Sequence, residues 1–248
     1  MAVIAVVSPK GGAGKTTVAT HLGVALARRH PDEVAIVDLD VAFGDVASAL
    51  RVDPRHDVLY AIAAVQEARA PALVRHRSGL HVLGAPETIV CETAGLAAGC
   101  ARVVEDVAAR YEHVVIDTGA GLDAVTIAVL QLATDAVAVA SFDVPTLLAL
   151  RKALRWIDST GCAARRHVVL NHADDGGGLT IEDVEAAVGT TVDLRIPSSH
   201  EVLRATNDGE PAEHGPIGAA MATLADRVAP AARHRRLWER RRPEVTAH

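Results

Sequence analysis

Short, continuous apolar runs recur along the chain and constrain its fold more than any other feature. Each run is rich in Val, Ala, Leu and Ile, and a helical pattern follows most of them. The runs are AVIAVV (2–7), EVAIVDL (33–39), LHVLGA (80–85), EHVVIDT (112–118), DAVAVASF (135–142) and RHVVLN (166–171). Continuous rather than alternating apolar runs are typical of strands covered on both faces, and strand–helix alternation indicates a parallel sheet. We therefore predict an α/β fold with a doubly wound, mostly parallel sheet that helices cover on both faces.

The intervals between these runs carry helical patterns. They span 16–29, 94–110, 122–133, 145–157 and 181–188. The last pattern has Thr180 as a predicted N-cap, Asp183 three residues later and Gly189 as a stop signal. The sequence has no internal repeat and no low-complexity linker. We expect one domain at 1–228, followed by a flexible basic tail at 229–248.

The charge distribution argues against a general nucleic-acid-binding protein. The net charge is −6, but residues 229–248 carry six arginines against two glutamates and are therefore net +4. Residues 1–228 are left with −10. Because nonspecific affinity for DNA comes from neutralising phosphates with Lys and Arg, we do not expect nucleic acid as a partner.

Several signals indicate the cytoplasm. No apolar run approaches the roughly 18 to 20 residues that span a bilayer, and the start of the chain lacks the basic region of a signal peptide. The three cysteines, Cys91, Cys100 and Cys162, show neither metal-ligand spacing nor a disulfide framework.

A glycine-rich loop, SPKGGAGKTT, joins the first predicted strand to the first predicted helix. Its glycines let successive N–H groups point at one anion, and the helix N-terminus adds roughly half a positive charge. Lys15 is expected to reach the β- and γ-phosphates of a nucleotide, Thr16 to offer its hydroxyl to Mg²⁺, and Thr17 to reach the α-phosphate. The predicted nucleotide-binding residues of this loop are Gly11, Gly12, Ala13, Gly14, Lys15, Thr16 and Thr17.

The beginning of the loop departs from the standard phosphate-loop pattern. The pattern G-x-x-x-x-G-K-[ST] requires a glycine five residues before Gly14, where this chain has Pro9. Lys10 is also a second lysine in a loop whose chemistry needs only one. These residues leave open a damaged nucleotide site, a glycine turn without a ligand, or a nucleotide site of a different design. The GKTT sequence at a strand–helix junction favours a nucleotide site.

Acidic residues end two of the predicted strands. Asp38 and Asp40 flank Leu39, so the alternation of an extended segment points both carboxylates to one side. Beside a phosphate loop, such a pair suits an Mg²⁺-water ligand and a group that orients attacking water, although solvated acids are the alternative. Asp117 follows three apolar residues in EHVVIDT, which is the Walker B arrangement of an acid that holds Mg²⁺ through water.

The segment KGGAGKTT, Lys10 to Thr17, resembles the deviant Walker A motif of the MinD/ParA ATPases. The resemblance covers roughly residues 1–228 and implies a P-loop NTPase fold of the SIMIBI type. In that family two subunits sandwich two ATP molecules, and the signature lysine, here Lys10, reaches the partner's phosphates. Asp40 falls at the catalytic aspartate and Asn171 at an asparagine that contacts adenine. Asp38 then joins Thr16 and Asp117 in the predicted Mg²⁺ site.

Other segments narrow the resemblance within the family. Residues 38–50, 141–154, 169–174 and 195–211 are similar to CpaE/TadZ-like proteins. Many family members have Thr-Pro-Pro-Gly after the aspartate, but this chain has DTGAGLD at 117–123. This segment resembles the flagellar-number regulators of the FlhG type instead. This difference leaves the subfamily open.

The resemblance implies an ATPase that uses ATP and Mg²⁺, dimerises on ATP and responds to a protein partner. Its expected output is the positioning of a pilus or secretion apparatus, a flagellum, a division site or a chromosome cargo. An ATP-dependent scaffold that recruits a partner without hydrolysis is the alternative. Redox and metallocluster relatives are disfavoured because their cysteine patterns are absent. The basic segment 232–242 contains adjacent Leu and Trp, which suits weak contact with the inner face of the cell membrane, but a solvated tail is favoured.

Overall fold

The computed structural model describes residues 1–90, 95–173 and 178–230. Within them, eight strands form one sheet in the order β3-β4-β2-β5-β1-β6-β7-β8. All neighbouring strands are parallel except β3 and β4. The strands are β1 Ala2–Val7, β2 Val34–Leu39, β3 Val74–Arg75, β4 His81–Leu83, β5 His113–Thr118, β6 Asp135–Ser141, β7 Arg165–Asn171 and β8 Leu194–Ile196. The predicted α/β fold with a mostly parallel sheet is confirmed.

Helices connect the parallel strands. They are α1 Lys15–Arg29, α2 Val46–Ala49, α3 Val58–Gln66, α4 Leu96–Arg110, α5 Ala124–Leu130, α6 Val144–Ser159, α7 Ile181–Val188, α8 His200–Asp208 and α9 Gly215–Val228. The predicted cap of α7 is confirmed, because Asp183 N donates to Thr180 Oγ1 (3.2 Å) and Thr180 N donates to Asp183 Oδ2 (2.9 Å). The sequence patterns did not predict α2, α3, α8, α9 or the edge strands β3 and β8.

Both faces of the sheet are buried, as a doubly wound fold requires. Alternate residues of β1 point to opposite sides: Val3, Ala5 and Val7 enter one hydrophobic core, and Ile4 and Val6 enter the other. The first core includes side chains of α4 to α7, whereas α1 and α9 supply most helical residues of the second. Each Å² of apolar surface that is buried stabilises the fold by about 25 cal/mol, so these two layers are the main source of stability.

The order of the central strands brings the acidic residues of the sequence to one edge. Strand β5 lies between β1 and β2, and the register pairs Asp117 with both Val6 and Asp38. Because the strands are parallel, their carboxyl ends meet where the loop after β1 begins. Among the described residues, no helix is long and apolar enough to cross a membrane. The predicted tail lies outside the described residues from 231 onward, so its flexibility stays a prediction.

Candidate nucleotide-binding site

The glycine-rich loop runs from Ser8 to Gly14 between β1 and α1. Gly14 is the N-cap of α1 in the left-handed conformation (φ 89°, ψ 29°), and Lys15 is the first residue of the helix. The hydroxyl of buried Ser8 donates to the carbonyl of Lys10 (2.9 Å), which folds the start of the loop back on the strand end. Lys15 is only 8% exposed, so the loop ends with a buried lysine at the N-terminus of α1.

Asn171, the last residue of β7, holds the loop from the side. Its amide Nδ2 donates to the carbonyl of Ala13 (2.9 Å). A Cβ on Gly14 would lie 2.1 Å from that same nitrogen, so only glycine leaves room for the contact. The structure therefore places Asn171 against the phosphate loop, and contact with adenine stays a prediction.

Asp117 joins the strand edge to the helix N-terminus. The Thr16 hydroxyl donates to Asp117 Oδ2 (2.6 Å), and the carboxyl is fully buried. Burial raises its pKa to about 7, although the Thr16 hydrogen bond and the Lys15 charge act in the opposite direction. Asp117 Oδ1 is buried without a hydrogen-bond partner among the described residues. A buried carboxylate oxygen without a partner is costly unless a cation or water completes it.

Asp38 lies beside Asp117 on the neighbouring strand. Its Oδ1 accepts a hydrogen bond from Asp40 N and its Oδ2 from Val46 N, both at 3.1 Å. Burial raises the pKa of Asp38 well above its ordinary value, and the neighbouring Asp117 charge adds to the effect. A Cβ on Gly44 would lie 2.5 Å from both carboxylate oxygens, so this glycine makes room for the segment to wrap the Asp38 side chain.

Asp40 is half-buried in the segment after β2, where its Oδ1 accepts from Phe43 N (3.0 Å). It borders a cavity of about 320 Å³ whose lining also includes Phe43, Gly119 and Asp123. The segment after β5 is tied to the phosphate loop, because Gly121 N donates to Ser8 O (2.9 Å). Asp40 thus belongs to the segment after β2 and shares this cavity with Gly119 and Asp123 of the segment after β5.

Lys10 projects into solvent at the start of the loop. Burial alone would raise the pKa of Asp143, but hydrogen bonds from Ser141 and Thr146, with the charge of Lys10, hold that pKa below its ordinary value. Asp143 caps α6 by accepting from Thr146 N, so Lys10 lies near the N-terminus of that helix.

The structure thus gathers most predicted residues at one edge of the sheet. Lys15, Thr16, Asp38, Asp117 and Asn171 are buried or half-buried there, whereas Gly11, Gly12 and Lys10 are exposed. The remaining predicted residues lie in the same loop and helix: buried Ala13, whose carbonyl contacts Asn171, and half-buried Gly14 and Thr17.

Sequence reasoning missed two acidic residues of the neighbourhood. The charge of Asp45 raises the pKa of Asp117, and Asp143 lies near Lys10. Both are N-caps, of α2 and α6, and an aspartate before a helix was the available signal.

The chain matches a known nucleotide-binding family in sequence. Residues 4–212 match the sequence model of the CobQ/CobB/MinD/ParA nucleotide binding domain. The chain belongs to this family. The septum site-determining protein MinD of Thermotoga maritima is 24% identical over 220 residues, which cover 84% of this chain and 80% of that protein.

Solved structures support the same fold for this MinD/ParA-family chain. A chain of the MinC:MinD cell division protein complex of Aquifex aeolicus superposes with a TM-score of 0.77 at 24% identity, covering 94% of this chain and 97% of the other. MinD of Pyrococcus horikoshii, complexed with Mg-ADP, gives 0.76 at 21% identity, covering 92% and 96%. The resemblance to MinD/ParA proteins is confirmed, and the CpaE/TadZ-like subfamily stays a prediction.

Proposed function

We propose that this MinD/ParA-family protein is an ATPase switch that binds ATP and Mg²⁺, dimerises in the ATP state and positions a cellular apparatus. The observation that carries the proposal is the Thr16–Asp117 contact beside Lys15, with the second Asp117 oxygen buried and without a partner among the described residues. A phosphate loop supplies charge for the nucleotide, and this oxygen needs a cation or its water.

The residues present fit a magnesium ion. Mg²⁺ prefers oxygen ligands and retains several waters, and Thr16, Asp38 and Asp117 offer a hydroxyl and two carboxylates at one strand edge. When bound, Mg²⁺ would neutralise negative charge on the β- and γ-phosphates. The two acids are then stabilised in their ionised form despite their burial.

Each remaining residue has a role in this proposal. Lys15 would bind the β- and γ-phosphates from the helix N-terminus, while the loop N–H groups orient them. Asp40 would orient the attacking water, since its cavity is shared by the segments after β2 and β5, which are the parts of the fold that a γ-phosphate would order. Lys10 would reach the phosphates of a second subunit, which its exposure supports.

The positioning output rests on what relatives are named for. The curated MinD relatives are septum site-determining proteins, and a similar structure is a MinC:MinD complex. A division site, pilus or secretion apparatus, flagellum or chromosome are the cargo classes that fit. We propose that a protein partner stimulates hydrolysis. We also propose that the protein is cytoplasmic. Weak contact of its basic tail with the membrane surface is the alternative to a solvated tail.

Binding and turnover of ATP by the purified protein test the proposal. Lys15→Ala should abolish ATP binding in isothermal titration calorimetry, because the loop loses its buried cation. Lys152→Ala is the matched control: the chain has three lysines, and Lys152 is the one outside the loop, exposed on α6. Intact ATP binding by Lys15→Ala would contradict the loop assignment.

Phosphate release separates the switch from the non-hydrolysing scaffold. The native protein should release phosphate above the Lys15→Ala baseline. If it binds ATP but releases no phosphate, with or without a candidate partner, the scaffold is the better description.

A further inference from the structure

We propose that His30, Glu112 and His113 form a binding site for a divalent transition metal, with Zn²⁺ as the favoured ion. The site lies at the end of the sheet opposite the nucleotide site. Among the described residues, these three are the group of His, Cys, Asp and Glu side chains whose ligand atoms converge, all within 4.8 Å of one another. His113 begins β5 and Asp117 lies four residues later, so the two sites are roughly 13 Å apart along the strand.

The donor set matches zinc chemistry. Imidazole nitrogens and a carboxylate oxygen are ordinary Zn²⁺ ligands, and two His with one Glu form a known three-residue set that leaves one position open. Tetrahedral ligands at about 2.1 Å from the ion are about 3.4 Å apart, so ligand atoms that now lie within 4.8 Å of one another must approach by up to about 1.4 Å. Glu112 is exposed and its side chain is able to supply most of that movement.

His113 is the observation that points to a ligand. Its side chain is only 6% exposed, and neither ring nitrogen has a hydrogen-bond partner among the described residues. Buried polar atoms are normally satisfied, and a bound cation would satisfy one of these nitrogens. The His30 ring stands edge-on to the His113 ring, with centroids 4.7 Å apart.

Backbone hydrogen bonds hold the residues around the cluster in place. Glu112 N and His113 N both donate to Glu33 O, at 2.9 and 3.2 Å, and Ala2 N donates to Glu112 O at 2.8 Å. His30 is the C-cap residue of α1, whose N-terminus carries the phosphate loop. Glu33 Oε2 lies 3.7 Å from His30 Nδ1, so this carboxylate borders the cluster. A metal here would fasten the end of α1 to β5.

Zinc titration of the full chain tests the proposal. After chelator treatment and its removal, Zn²⁺ titrated into the native protein should bind saturably and raise the melting temperature. His30→Ala and Glu112→Gln should each weaken binding by at least about tenfold and remove the thermal shift. These variants alter a half-buried and an exposed side chain, so both should fold, whereas loss of buried His113 carries a greater risk.

His200→Ala is the matched control, since it removes an exposed histidine outside the cluster and should bind Zn²⁺ as the native protein does. The proposal is overturned if His30→Ala and Glu112→Gln bind Zn²⁺ as tightly as the native chain. It is equally overturned if the native chain shows no saturable binding, or if Zn²⁺ leaves its melting temperature unchanged.

Discussion

Asp117 illustrates why single residues of this chain can be assigned from sequence. Three apolar residues precede it in a buried strand, so its position near the carboxyl end of that strand followed from the pattern alone. The same is true of Asp38, which the register places beside it. Burial of an acid is unfavourable unless donors or a cation pair with it, and for this reason we expect a role for Asp117, whose Oδ1 has no hydrogen-bond partner among the described residues.

Other residue contacts had no local signal. Asn171 donates to Ala13 across 158 residues of sequence, and no pattern around either residue indicates that bond. Asp45 acts on Asp117 only because the segment after β2 wraps Asp38. Such contacts depend on the strand order, which must be known first.

Gly14 gives a residue-scale prediction. Gly14→Ala should lower the free energy of unfolding of the nucleotide-free protein by about 2 to 4 kcal/mol. A left-handed Ala costs about 1 to 2 kcal/mol, and the new methyl group must displace the Asn171 amide from Ala13. Urea unfolding followed by circular dichroism measures the difference.

Two neighbouring glycines separate the causes. Gly12 has a positive φ of 80°, but nothing lies within 4 Å of a Cβ added there. Gly12→Ala should therefore lower the free energy of unfolding only by the cost of placing Ala in the left-handed conformation. Gly11→Ala, with neither feature beyond an ordinary contact at 3.9 Å, should leave stability nearly unchanged. Equal losses for Gly12→Ala and Gly14→Ala would show that the Asn171 contact contributes nothing.

At the scale of elements, the strands that carry a continuous apolar run were predictable, whereas the edge strands without such a run and several helices were not. The six apolar runs all became strands because both faces of the sheet are covered. Strand β3 has two residues, half-buried and exposed, so it has no apolar run. Helix α9 carries a helical spacing in its buried Ile217, Met221 and Leu224, but the Gly, Pro and Ala residues at its start obscure the pattern.

Helix α1 contains a buried histidine that should make stability depend on pH. His21 is 3% exposed, and burial lowers its pKa from 6.5 to about 4, although a hydrogen bond to the Thr17 carbonyl acts the other way. Between pH 6.5 and 4, His21 is therefore protonated in the unfolded chain and neutral in the folded chain. The contribution of His21 to the free energy of unfolding is fully present above pH 6.5, and it falls by up to about 3 kcal/mol as the pH drops through this window.

His21→Gln should remove this loss, so the free energy of unfolding of the variant relative to the native chain should rise as the pH falls from 6.5 to 4, as measured by urea unfolding at several pH values. The comparison isolates His21, because His113, whose pKa is lowered by burial, and Asp117 and Asp38, whose pKa values are raised by burial, titrate in both proteins. Arg28, Arg29, Glu213 and His214 line the cavity next to His21 and remain in the variant. His200→Ala, which removes an exposed histidine, should keep the native slope, and an unchanged slope in His21→Gln would contradict the assignment.

At the scale of the whole molecule, the nucleotide edge is the surface where we propose that a second subunit binds. Phe43 is 78% exposed after β2, and Val144 and Leu148 are exposed on the first turns of α6. Lys10 lies near the N-terminus of the same helix. Exposed apolar side chains beside a solvent-exposed cation fit an interface that forms only when phosphates are present to meet the cation.

Lys10→Ala tests that interface directly. The variant should bind ATP as the native protein does, because Lys15 and the loop N–H groups remain. It should lose ATP-dependent dimerisation, since each charge-assisted contact across the interface contributes about 2 kcal/mol, or roughly thirtyfold in the dimer dissociation constant. Light scattering with ATP and with a non-hydrolysable analogue measures the change, and Lys152→Ala should dimerise normally. If Lys10→Ala dimerises as the native chain does, the lysine acts within its own subunit, and the exposed edge must be assigned to another partner.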